Sequence, residues 1–200
     1  MALNAPIQID GRDWTLFKDY DKPNYIYLSL HGKIDYLEKR VQLILIDPLE
    51  EIKQRSLTKN TNEYYWLCLV IMVCCGIEAT GAYLVGRDRK SIKKKGENFR
   101  AFKSFINKYM PIYKPCLDDL WKYFRNGLAH GFCIVKGGIE LGLPNPVQRD
   151  ANIGVQINAD EFFDNFKKGF FNCIKDLRTQ SPNSKVIKKF EKTWSWVFLT

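Results

Sequence analysis

From Tyr64 to Ile77 the chain is almost unbroken in its apolarity, reading Tyr-Tyr-Trp-Leu-Cys-Leu-Val-Ile-Met-Val-Cys-Cys-Gly-Ile, and Glu78 follows at once. An α-helix over this run rises about 21 Å at ~1.5 Å per residue. The hydrocarbon core of a membrane is ~30 Å thick, so the run falls short of a span. It predicts instead a central helix buried on nearly all sides, around which the rest of the chain must wrap. Thr61 or Asn62 is placed to cap this helix, which reaches to about Val85. A carboxylate on a helix so buried needs a partner. For Glu78 that partner is either the Arg125 guanidinium, or solvent or a structural hydrogen bond at the helix end.

Periodicity and punctuation place the other elements. Residues 1–33 read as irregular. Residues 34–55 read as a long helix, with Leu37, Val41, Ile44 and Leu45 at helical spacing and an interruption near Pro48. Residues 97–109 make a shorter helix with Phe99, Phe102, Phe105 and Ile106 on one face, and residues 114–130 another, with Pro111 and Pro115 marking its approach. Residues 132–157 are an insertion: Gly137-Gly138 signals a hairpin within 132–141, and 153–157 adds a third strand. Amphipathic helices over 160–178 and 183–198 close the chain. No linker divides it and no internal repeat is visible, so the fold class is a single mainly α domain, a helical bundle carrying a small β-hairpin.

The helix over 114–130 carries the chemistry. On a wheel at ~100° per residue, Leu117, Leu120, Trp121, Phe124 and Leu128 share the core face. Asp118, Asp119, Lys122, Arg125, Asn126 and His130 fall on the other, with Asn126 and His130 stacked four apart. Gly131 suits the left-handed residue that closes a helix. Arg125, Asn126 and His130 thus bring a permanent cation, an amide and an imidazole within two turns. Those are the groups that RNA cleavage by its own 2′-hydroxyl requires: a base or acid titrating near neutrality, and a fork of donors matched to phosphate. Asn126 would orient His130 or a substrate hydroxyl.

Arg125-Asn126 followed by His130 resembles the motif of the HEPN ribonuclease superfamily, in which an Arg, usually followed by a polar residue, precedes a His with four to six residues between them, here the four from Asn126 to Ala129. The resemblance implies an antiparallel helical bundle that dimerises through its motif helices. Two Arg/His pairs would then face each other across one cleft and act as a metal-independent endoribonuclease. It also implies a bacterial toxin or antiviral defence effector, with an antitoxin or other regulatory partner. One branch of the family carries a Tyr two residues after the His as the site of nucleotide modification; Phe132 stands there in this chain.

A composite site has independent support. A mechanism using separate imidazoles as acid and base needs two, and the chain holds only His31 and His130. His31 falls in an expected turn before the first long helix. A symmetric homodimer brings two copies of His130 together by construction.

The net charge of +9 favours an anionic partner, with RNA the expected one. Arg87, Arg89, Lys90, Lys93, Lys94, Lys95 and Arg100 crowd the loop between two helices, and the first six are the expected phosphate contacts outside the cleft. A second group stands at Lys185, Lys188, Lys189 and Lys192. Six cysteines show no CxxC pair and no zinc-ligand spacing, and no signal peptide is evident, so they read as reduced, buried thiols of a cytoplasmic protein. No metal, cofactor or membrane is expected. The alternative to an RNase is a non-catalytic HEPN-like module that binds RNA or protein through the same residues.

Overall fold

The computed structural model describes residues 7–9, 12–14, 28–59, 64–131, 133–134 and 136–199. Thr61, Asn62 and Phe132 lie outside these. The architecture is mainly helical with small sheets, and the N-terminal part departs from expectation in two ways. First, the N-terminal region is not wholly irregular: β1 (Ile7–Ile9) and β2 (Arg12–Trp14) pair antiparallel, with Ile9 opposite Arg12. The intervening Asp10-Gly11 is the dipeptide that most favours a two-residue hairpin connection. Second, the first long helix starts before Ile34. α1 (Leu30–Val41) begins where the Ser29 hydroxyl accepts the Gly32 N–H at 3.0 Å, and His31 lies in its first turn rather than in a loop.

The helix continues through a π-helical turn, Gln42–Ile46, into α2 (Asp47–Lys59), with the Asp47 N–H reaching back to the Gln42 carbonyl. This wide turn is the interruption expected near Pro48. Proline has no N–H to donate and its ring crowds the carbonyl four residues earlier, so a widened turn just ahead of it relieves both problems.

α3 (Tyr64–Val85) is the central helix. Residues Tyr65–Val85 are long and apolar enough to cross a membrane, yet most of that stretch is buried inside the chain. Leu69, Val70, Val73, Cys74 and Ile77 point inward against α4 (Glu97–Tyr109), α7 (Ala159–Thr179) and α8 (Lys185–Leu199). Burial is not all-round, because Tyr65, Cys68, Met72, Cys75 and Ala79, spaced three and four apart, form one exposed stripe. The expectation that all six cysteines are buried fails for the same reason. Cys74, Cys116 and Cys173 are buried, whereas Cys68, Cys75 and Cys133 are exposed, and all six are free thiols.

α3 and α4 meet at Gly81, where a Cβ would stand 2.0 Å from the Ala101 carbonyl oxygen. Only glycine permits that approach. Gly86, at φ 71, ends α3, and the Thr193 hydroxyl of α8 lies 3.1 Å and 2.8 Å from the Ala82 and Arg87 carbonyls. The loop that follows is therefore tied to the bundle at its root.

Residues 114–130 are not one regular α-helix. A 3₁₀ segment (Pro111–Cys116) leads into α5 (Leu117–Asp119), a π-helical stretch (Leu120–Arg125) and α6 (Asn126–Gly131). Gly131 does not adopt the left-handed conformation. It is the last helical residue, and the Cys133 N–H closes the end on the Gly127 carbonyl at 3.4 Å.

The insertion forms a mixed sheet of β3 (Gly138–Glu140), β4 (Val147–Asp150) and β5 (Gly154–Asn158), ordered β3-β5-β4. The antiparallel pair is β4 with β5, and β3 runs parallel to β5, so no hairpin turns at Gly137-Gly138. Gly137, at φ 132, serves closeness instead: a Cβ there would lie 2.4 Å from the Val155 carbonyl oxygen and 3.0 Å from the Phe124 ring. This contact sets the sheet against the motif helix. Asn158 then caps α7, its side-chain oxygen accepting the Glu161 N–H at 3.3 Å, and Phe162, Phe163, Phe166 and Phe170 fill the core from that helix.

Candidate functional site

Arg125 and Glu78 are brought together by the π-helical stretch. A π turn closes with i→i+5 bonds, here the Asn126 N–H to the Trp121 carbonyl, and takes more residues per turn than the ~100° wheel assumes. Arg125 therefore lags back toward the core side instead of standing on the outer face. Its Nε and Nη2 donate to one oxygen of Glu78 at 2.9 Å and 2.5 Å, and the guanidinium lies 4.9 Å above the Trp121 ring. Arg125 Nη1 donates to the Asn126 side-chain oxygen at 3.1 Å. Three of the five N–H donors of the guanidinium are thus engaged, leaving one on each terminal nitrogen, enough to grip a single phosphate.

Glu78 is 8% exposed, and its second oxygen accepts Arg87 Nη1 at 3.2 Å. One buried carboxylate therefore faces two guanidiniums, and the Arg87 nitrogen also donates to the Asn98 side-chain oxygen at 3.0 Å. Arg87 is turned inward, stacked 5.5 Å from the Trp196 ring, and does not stand with the outer lysines of its loop. Asn98 and Trp121 were not singled out in the sequence. Asn98 sits in the first turn of α4 with no periodic signal, and Trp121 reads simply as core.

Arg89, Lys90, Lys93, Lys94 and Lys95 are exposed on the loop between α3 and α4. The loop is shaped by a reciprocal pair: the Ser91 N–H donates to Asp88 at 2.7 Å and the Asp88 N–H to the Ser91 hydroxyl at 2.7 Å. The Ser91 backbone bond, with Lys192 Nζ at 3.1 Å, holds the Asp88 carboxyl down at about 2. Between the loop and the motif helix lies an open cavity of about 470 Å³, lined among others by Lys94, Lys95, Asn98, Phe99, Arg125 and Asn126. Arg125, Asn126 and two of the expected phosphate contacts so share one space, and His130 stands outside it.

Comparison with protein-family models, curated proteins and solved structures finds no match to this chain. The site is read from its own chemistry. His130 is exposed one helical turn beyond Asn126, and it makes no hydrogen bond or ion pair among the described residues. The Asn126 oxygen goes to Arg125 and not to the imidazole. His31 is likewise exposed, on a different helix, with no bond to the motif among the described residues. The arrangement offers a held cation, an amide and a free imidazole along one helix edge, with a cationic loop beside them.

Proposed function

We propose that this chain is an endoribonuclease of the HEPN type, cleaving RNA by attack of the 2′-hydroxyl without a metal. The observation that carries the reading is the shared cavity: Arg125 and Asn126 open into the same space as Lys94 and Lys95, with the unencumbered His130 one turn further on. In this mechanism His130 removes the 2′-hydroxyl proton or protonates the leaving 5′-oxygen, since imidazole serves as either base or acid. Arg125, oriented by Glu78, stabilises the charge that builds on the phosphorane oxygens. Two chains meet through their motif helices, so that a second His130 supplies the other half of the proton traffic. A cytoplasmic toxin or defence effector, restrained by an antitoxin or similar partner, is the role that suits such an activity.

Incubation of purified wild-type and His130→Ala protein with total RNA in EDTA tests the reading. Discrete cuts ending in 2′,3′-cyclic phosphate, made by the wild type alone, are expected. The engagement of three Arg125 donors inside the chain favours a second reading, a module that binds RNA or protein without cutting. RNA retained by wild-type protein but left intact selects it.

A further inference from the structure

The cavity beside Arg125 is unusual in what it lacks. Each side-chain acceptor at its wall already accepts a hydrogen bond. Guanidinium groups carry donors only, so the contacts from Arg87 to Asn98 and from Arg125 to Asn126 fix both side-chain oxygens toward the arginines. The group each amide has left is its NH2. Glu97, the one carboxylate on the wall, is bound by Arg100, whose Nε lies 3.0 Å from it. Lys94 and Lys95 add ammonium donors and make no ion pair among the described residues. Phe99, half-buried at the wall, supplies an aromatic surface of the kind on which bases stack, with Trp121, whose ring already carries the Arg125 guanidinium, 5.4 Å from it.

A donor-only pocket with an aromatic wall discriminates among bases. Guanine presents two acceptors, N7 and O6, along its Hoogsteen edge, whereas adenine presents N7 beside an N6–H2 donor and cytosine an N4–H2 donor. Adenine would leave an N–H facing an N–H, a buried mismatch with no compensation. We propose that this cavity is a base-reading subsite that selects guanine over adenine and cytosine in the bound RNA, with the Asn98 and Asn126 amides donating to its acceptors and the two lysines holding the attached phosphate. The inference rests on the RNA reading of the cleft and names the base at it.

Guanosine and adenosine 5′-monophosphates are suitable probes because they share ribose and phosphate, so their ratio reports the base alone. Calorimetric titration of wild-type protein is expected to give GMP the tighter binding by roughly tenfold, the scale of one well-paired base contact. Asn98→Asp keeps an oxygen for Arg87 but replaces the free donor with an acceptor. It is expected to bring the ratio to parity or to favour AMP, with the thermal midpoint held near that of the wild type. Equal binding of GMP, AMP and inorganic phosphate by the wild type would mark an anion site and overturn the proposal. So would absence of GMP binding, or an Asn98→Asp ratio unchanged from wild type. The cleavage reading is judged separately: GMP preference without RNA cutting would retire catalysis and leave the base-reading subsite standing.

Discussion

Two arginines on one buried carboxylate make Glu78 the residue whose loss the chain tolerates least. Its removal leaves two guanidiniums, 18% and 13% exposed, without their counter-charge. Breaking a buried pair in this way costs about 3–5 kcal/mol, and Glu78→Ala is expected to lower urea-unfolding stability by that much. His130→Ala, by contrast, removes an exposed side chain with no partner among the described residues and should change stability by no more than ~0.5 kcal/mol. Loss of cleavage in His130→Ala then reports chemistry, whereas loss in Glu78→Ala does not. Asp88 supplies a pH dependence. Its carboxyl is held at about 2 in the fold against an ordinary 3.8, so the stabilisation it gives is complete above about pH 4 and drains away as pH falls toward 2. Wild-type thermal midpoints should fall more steeply across that window than those of Asp88→Asn.

Helices were legible wherever a repeated apolar pattern met a strong stop. The α4 boundaries Glu97–Tyr109 follow from the phenylalanine spacing alone, and α7 and α8 start and end within two residues of expectation. The π turns were not legible, because a regular wheel has no place for a change of pitch, and it is the pitch that carries Arg125 to Glu78. A need for a partner, and Arg125 as one candidate for it, could be read from the carboxylate in an apolar helix; the second cation, Arg87, depended on geometry. Glycines misled in the other direction. Gly137-Gly138 looks like a turn, yet Gly137 is there for backbone proximity, and β3 finds its parallel neighbour by a contact distant in sequence that no local pattern announces. The same logic makes Gly81 the most sensitive glycine in the bundle. Gly81→Ala sets a methyl 2.0 Å from the Ala101 carbonyl oxygen, and prying α3 from α4 to admit it is expected to cost about 1–3 kcal/mol, read as a shifted denaturant midpoint.

At the scale of the molecule, the proposed composite site makes activity a property of pairs. If each cleft needs two His130 imidazoles, an equilibrated equal mixture of wild-type and His130→Ala chains should cleave at about one quarter of the rate of all-wild-type protein at the same total chain concentration, because only one dimer in four keeps both. Retention of one half would mean that each chain works alone. The central position of α3 has a further consequence, for the order in which the protein is made. The three helices that give it most of its cover, α4, α7 and α8, all lie C-terminal to it, while α2, made before it, covers less. During translation a 22-residue apolar helix therefore leaves the ribosome well before its cover. Roughly a hundred residues separate Val85 from Lys185, which at ~5–20 residues per second leaves the helix incompletely clothed for on the order of five to twenty seconds. For that interval the nascent chain displays a segment with the length and hydropathy of a membrane span, and its fate depends on what shields it until the last helix arrives.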